Sequence, residues 1–233
     1  MPRLVLVPGF TQTASSWREV VTALGPSVDA RAIDVPVAES FAATAAAVGE
    51  AGGRAVYCGY SMGGRLCLRL AIDRPDLVAG LVLVSSTAGI QDTSEQAARM
   101  ASDEELAQFV EREGVDAFLE RWLAQPLFAG VPPDAPGLSD RRQLSSAFVA
   151  HCLRQLGVGT MDPMWARLED LHMPVGVVWG EADAKYQALG QLMARAVANS
   201  IPCEVRRSGH AIHLEQPHAL ASALETVLAY MRD

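Results

Sequence analysis

No CxxC pair occurs in this chain of 233 residues, and its four cysteines (Cys58, Cys67, Cys152 and Cys203) have no metal-ligand spacing with its five histidines. That argues against a zinc ribbon and a dithiol redox centre. Each cysteine lies in an apolar or mixed stretch, as buried thiols of a reducing compartment do, so a cytoplasmic protein is expected. Neither a GxGxxG fingerprint nor a Walker sequence is present, and the expectation is that no cofactor and no metal are used. No apolar run reaches membrane-spanning length. The opening "MPRLVLVPGF" carries one arginine and too short an apolar run for a signal segment, and reads better as a strand. Positive charge is also scarce. Nineteen basic residues face 27 acidic ones, a net charge of −8, which disfavours nucleic acid or an anionic membrane as the main partner. A small-molecule substrate is the expected partner.

There is also no internal repeat and no low-complexity linker. What is present is a regular alternation. Strand candidates fall at 3–8, 30–36, 54–60, 80–86, 175–180 and 203–208, and several are nearly continuous apolar runs, as in strands covered on both faces. Helix candidates fall between them at 14–24, 39–51, 62–74, 186–199 and 217–231. Alternating strands and helices imply an α/β fold with a mostly parallel sheet flanked by helices. Residues 92–171 break the pattern. They hold helical stretches at 94–114, 115–128 and 139–157, punctuated by Pro126, Pro132, Pro133 and Pro136. The expected organisation is a core of residues 1–91 and 172–233 with a helical cap, or lid, of residues 92–171 inserted between strands. Such a cap would cover the edge of the sheet where ligands bind.

The sharpest signal is "YCGYSMGG" at 57–64, in which Gly59-Tyr60-Ser61-Met62-Gly63 fits G-x-S-x-G. An apolar strand precedes it and "GRLCLRLAI", with helical spacing, follows. In that context the motif is a nucleophile elbow, with the serine held on a strained strand-to-helix turn. Glycines stand two residues to either side because side chains there would collide. The helix that follows aims its N-terminal N–H groups and dipole at the hydroxyl. A serine needs a base. His210, after the last strand in "RRSGHAIHLEQP", is the first candidate. His213 and His218 are the alternatives, or else capping or surface histidines. The base needs an acid to hold its tautomer. "VVWGEAD" offers Glu181 and Asp183, and Asp183 lies deeper in the loop. The order Ser61, Asp183, His210 is the one this fold requires. An oxyanion hole would use the Met62 N–H and, from "VPGFTQT", the Phe10 N–H.

The elbow, "GEAD" and "SGHAIHLEQP" resemble the α/β-hydrolase superfamily. "GYSMGGRLCLRLA", "CLRQLGVGTMDPMW", "GEADAKY" and the helical stretch ending in "ERWLAQPLF" resemble one branch, the 2-succinyl-6-hydroxy-2,4-cyclohexadiene-1-carboxylate synthases of menaquinone biosynthesis. The resemblance implies a lyase that eliminates pyruvate from a succinyl-bearing cyclohexene dicarboxylate. Ser61 and His210 would remove a ring proton, Asp183 would orient His210, and Phe10 and Met62 would stabilise enolate-like charge. It further implies an anionic substrate met by Tyr60, Arg65, Arg99, Trp122 and Arg141, with Arg142 an alternative register for the last. The arginines and Trp122 have plainer readings: ion pairs at a helix surface or core rim for the arginines, cap packing for Trp122. Three features depart from the branch. Pro8-Gly9-Phe10 replaces a His-Gly-Phe loop, "DVPVAES" replaces a Gly-His-Gly stretch, and the chain is expected to start on its first strand without a leading hairpin. A serine hydrolase acting on a small ester, thioester, lactone or vinylogous ketone shares the same triad and is the alternative.

Overall fold

The computed structural model describes residues 3–231. Six parallel strands form one sheet: β1 (Leu4–Val7), β2 (Ala30–Ala32), β3 (Ala55–Tyr60), β4 (Val78–Val84), β5 (Val175–Gly180) and β6 (Ser200–Val205). Their spatial order is β2-β1-β3-β4-β5-β6, each pair parallel. The chain leaves β1 toward one edge and returns to place β3 on its other side. The sheet therefore reverses direction between β1 and β3, where a crevice opens at the strands' C-terminal ends.

Alternate strand residues feed two cores. Val5, Val7, Tyr57, Leu81, Leu83 and Val177 face α2 (Phe41–Gly52), α3 (Met62–Asp73) and α7 (Ala184–Ala196). Leu4, Leu6, Val56, Cys58, Val82 and Val84 face α1 (Arg18–Leu24) and α9 (Pro217–Tyr230). Burial on both sides is why the central strands read as unbroken apolar runs. The edges differ from the sequence expectation. β2 ends at Ala32 rather than 36, because the chain peels away towards Pro36 and Asp34 turns to accept the Ala14 N–H at 2.7 Å. β6 spans 200–205 rather than 203–208. Beyond Val205 the chain turns, with Arg207 at φ 55° and the Ser208 hydroxyl bonded to Val205 O.

Between β4 and β5 lies the helical insertion. Asp92 caps its first helix, α4 (Thr93–Leu123), by accepting the Ser94 and Glu95 N–H groups. Gly114, at φ 87°, breaks α4 into the two segments expected from the sequence. The single helix expected at 139–157 is instead a short α5 (Leu138–Arg141) and α6 (Ser146–Leu156), separated where Ser145 caps α6 by accepting the Phe148 N–H. A third apolar cluster of Ala107, Val110, Phe118, Leu119, Val149 and Leu153 joins α4 to α6. Across the same junction Arg154 reaches Glu104 at 2.7 Å and Glu111 at 2.9 Å. These ion pairs are largely exposed and screened by water, whereas Phe118 is fully buried. Phe118→Ala should cost about 3–5 kcal/mol and Arg154→Ala far less. Urea unfolding of both variants checks this; equal losses would mean that charge rather than apolar packing joins the two helices.

Candidate active site

At the end of β3 the backbone turns sharply, and Ser61 sits at φ 51°, ψ −109°, a conformation that non-glycine residues seldom adopt. The turn is crowded from both sides. A Cβ on Gly59 would lie 2.3 Å from Gly63 O, and one on Gly63 would lie 2.4 Å from Val7 O. The surroundings hold the strained residue in place. The Ser61 N–H donates to Val84 O at 2.9 Å, and the Ser86 hydroxyl donates to Ser61 O at 2.9 Å. Ser40, Asp92 and Ser145 spend their side-chain oxygens capping their own helices. Ser61 precedes α3 but makes no such bond, so its hydroxyl remains free.

That hydroxyl meets His210. The Nε2 of His210 stands 3.3 Å from Ser61 Oγ, and its Nδ1 stands 2.7 Å from Asp183 Oδ2. Opposite the carboxylate, Nδ1 carries the hydrogen and Nε2 is left to accept the serine proton. Asp183 and His210 are almost wholly buried, which strengthens their interaction. The other Asp183 oxygen accepts the Tyr186 N–H at 3.2 Å, capping α7. Glu181, the rejected acid, lies outside and accepts the Arg207 N–H at 2.8 Å. The His210 loop is clamped by Glu215, at the end of the short α8 (Ile212–Glu215). Its carboxylate accepts the N–H groups of both flanking residues, Gly209 at 2.6 Å and Ala211 at 2.9 Å.

A cavity of about 310 Å³ opens over these groups, within the range of small-ligand sites. Phe10, Tyr60, Ser61, Met62, Arg65, Arg99, Trp122 and His210 all line it. Among the described residues the Phe10 and Met62 N–H groups have no acceptor in the protein. Arg65 is buried and donates to Leu156 O at 2.9 Å. No carboxylate pairs with it among the described residues, and burial pulls its pKa down to about 10. Arg99 pairs with Asp103 at 2.9 Å while still facing the cavity. Trp122 lines the cavity and also packs on Phe10 and Phe118. Arg141 departs from expectation. Its side chain is buried and among the described residues bonds only to the Thr11 hydroxyl, at 3.4 Å, and it does not line the cavity. The reason is its place at the end of α5, where the guanidinium turns inward behind the β1 loop; burial holds the Tyr60 phenol pKa well above its ordinary value, and the Arg141 charge offsets part of that rise. Arg142 is exposed and pairs with Asp116 at 2.6 Å.

Sequence reasoning missed four residues here. Tyr186, whose ring centre lies 4.3 Å from that of His210, lines the cavity, as do Gln12 and Lys185, the chain's one lysine. Glu215 is the fourth. The "D-x-K-Y" and "H-L-E" strings were the available signals. His213 also differs from expectation. It is neither a capping nor a surface group but fully buried, packed between the tilted rings of Trp17 and Tyr60. Among the described residues, no three His, Cys, Asp or Glu side chains gather as a metal site, and no helix is long and apolar enough to cross a membrane.

The model of the alpha/beta hydrolase family matches residues 4–223, and the chain belongs to that family. Within it the chain falls in the 2-succinyl-6-hydroxy-2,4-cyclohexadiene-1-carboxylate synthase branch. The protein of that name from Serratia proteamaculans is 30% identical over 245 residues, 97% of this chain and 93% of its own. A Bacillus subtilis relative that carries the name provisionally is 33% identical over 175 residues, 73% of this chain; the match spans 64% of that relative's length. The structure of MenH from S. aureus superposes with a TM-score of 0.90 at 24% identity, covering 100% of this chain and 95% of that one, a likeness of fold.

Burial of His213 has a consequence for stability. Desolvation first, then the Arg141 and His210 charges, hold its pKa well below the ordinary value. The folded protein keeps His213 neutral, while the unfolded chain takes up a proton near pH 6.5. Stability should therefore be unaffected above that pH and fall below it, by up to about 1.4 kcal/mol per pH unit from this residue. Denaturant unfolding between pH 7.5 and 5 should show a shallower acid slope for His213→Gln than for the wild type. Equal slopes would place His213 outside this linkage.

Proposed function

We propose that the protein is a lyase of menaquinone biosynthesis that eliminates pyruvate from a succinyl-cyclohexene dicarboxylate, with Ser61, His210 and Asp183 as its proton-abstraction machinery. The observation that carries the reading is a base-activated serine sharing one cavity with Arg65, a buried guanidinium that has no carboxylate partner among the described residues. An unpaired buried cation is costly. A substrate carboxylate would relieve that cost through charge-assisted hydrogen bonds. Arg99 and the Tyr60 and Trp122 rings complete this subsite. Arg141 acts from behind the wall as background positive charge. The insertion at 92–171 serves as the cap, and the reading places the enzyme in the cytoplasm.

In the proposed reaction His210 Nε2 takes the Ser61 proton as Ser61 Oγ removes the ring proton next to the succinyl ketone. The electron pair moves onto the ketone oxygen. The Phe10 and Met62 N–H groups and the α3 N-terminus stabilise the resulting enolate. When the enolate collapses, the second ring double bond forms and the C–O bond to the pyruvyl group breaks. The departing pyruvate enolate takes up the proton held by the His210 imidazolium, which leaves His210 neutral and Ser61 protonated by the hydrogen it took from the ring. Asp183 steadies the imidazolium throughout, and no acyl-enzyme forms.

A serine hydrolase is the second reading. The wholly apolar stretch of the cavity wall at Leu106, Leu127, Phe128, Leu153 and Leu156 favours it. Purified protein given the pyruvate-releasing substrate beside a panel of chromogenic esters separates the two. Pyruvate release should fall at least about a hundredfold in Ser61→Ala and in His210→Ala; near-full activity in either variant would refute these roles. Arg65→Ala should impair turnover of the anionic substrate far more than that of a neutral ester. Equal impairment would remove Arg65 from carboxylate binding.

A further inference from the structure

Gln12 is a polar side chain of the cavity that this mechanism leaves unused. It sits two residues after Phe10, is more than nine-tenths buried, and lines the cavity with Ser61 and His210. Its backbone N–H donates to Gly9 O at 3.2 Å, closing the loop that carries Phe10. Its side-chain Oε1 lies 3.3 Å from the Gly9 nitrogen and 3.0 Å from His213 Nε2. The Gly9 nitrogen can only donate, so the amide atom facing it must be the oxygen. The same oxygen then requires His213 Nε2 to carry the hydrogen. A flipped amide would set its NH2 against the Gly9 N–H and lose that bond, and would keep the other only by moving the His213 hydrogen to Nδ1, which has no acceptor among the described residues. Burial keeps His213 in this neutral form, and its Nδ1 has no partner among the described residues.

With Oε1 held on that side, the amide nitrogen faces away from it. Among the described residues that nitrogen has no acceptor, and it is not one of the sealed, unsatisfied atoms of the interior. The cavity is what remains for it. We propose that the Gln12 amide N–H is a third donor of the oxyanion pocket, beside the Phe10 and Met62 N–H groups, and that His213 is the positioning residue that fixes the amide in this orientation. The inference deepens the proposed function and rests on its reading of Ser61. It adds a side-chain donor to two backbone donors, on the loop that in this chain reads Pro8-Gly9-Phe10-Thr11-Gln12. A donor so placed is held ready before charge develops, and loss of one such donor typically costs a hundred- to a thousandfold in kcat.

Phenylboronic acid tests this without pyruvate chemistry. It adds reversibly to an activated serine and sets an anionic adduct's oxygen in the oxyanion pocket. Gln12→Met should weaken its binding on the order of ten- to a hundredfold, the usual range for a lost hydrogen bond to a charged group. Gln12→Glu keeps both accepted bonds but turns the donor into an acceptor, and should weaken binding at least as much at pH 8 with little change in melting temperature. His213→Phe should weaken binding less, and should add nothing in a Gln12→Met background, as coupled residues do. Unchanged affinity in either folded Gln12 variant, or no adduct on the wild type, overturns the assignment. Full additivity of the two substitutions overturns the part given to His213. A wild type that binds the boronate through Ser61 but releases no pyruvate would refute the reaction proposed above and leave the Gln12 donor standing.

Discussion

The site depends on the crossing of β3 and α3 against β1, where backbone packs on backbone with no room for a side chain. Gly59 and Gly63 allow that approach, and it forces Ser61 into its strained turn. Two consequences follow from the one constraint. The hydroxyl is lifted clear of the strand and is not consumed in capping its own helix. The start of α3 is also brought beside the loop after β1, so that Met62 and Phe10 line the same cavity. A looser crossing would separate nucleophile from donors. The cost of the strain, about 1–3 kcal/mol, is offset by the sheet's two apolar cores, which hold β1, β3 and β4 in register on either side of the turn.

Around that crossing the electrostatics divide into two regions. One is the paired set of Asp183, His210 and Ser61, in which the buried carboxylate has a partner for each oxygen. The other is a positive region of Arg65 and Arg99 in the cavity, with Arg141 behind it, only Arg99 having an ion-pair partner among the described residues. A protein evolved for stability alone gains nothing from buried, unpaired guanidinium groups. Their desolvation is tolerable if an anion completes the site, which fits a dicarboxylate held with its ring over Ser61. The apolar wall contributed by Phe10, Trp122 and Phe128 excludes water and thereby strengthens each of these charges.

The fold was largely legible in the sequence because its central strands are buried on both faces and the elbow has one stereochemical solution. Ser61, Asp183 and His210 could be placed because each stands at the C-terminal end of a recognisable strand. Where local pattern competes with tertiary packing, the reading was less complete. β2 shortened at the sheet edge, the helix expected at 139–157 broke at Ser145, and Arg141 turned inward while Arg142 took a surface ion pair. Adjacent arginines look alike in a sequence; burial alone distinguishes them. Gln12 and His213, 201 residues apart, were illegible for a different reason. Their roles exist only through the contact between them, and neither carries a local signal. Glu215 likewise looks like an ordinary helix-end acid until its two oxygens are seen to hold the backbone on either side of His210.

In the proposed reaction Ser61 and His210 remove a carbon-bound ring proton rather than open an ester. The most direct measurement uses substrate labelled with deuterium at the ring carbon next to the succinyl ketone, with mass spectrometry of the diene formed as pyruvate is released. The expected ring product has lost the label. Pyruvate release with the deuterium still on the ring would contradict it.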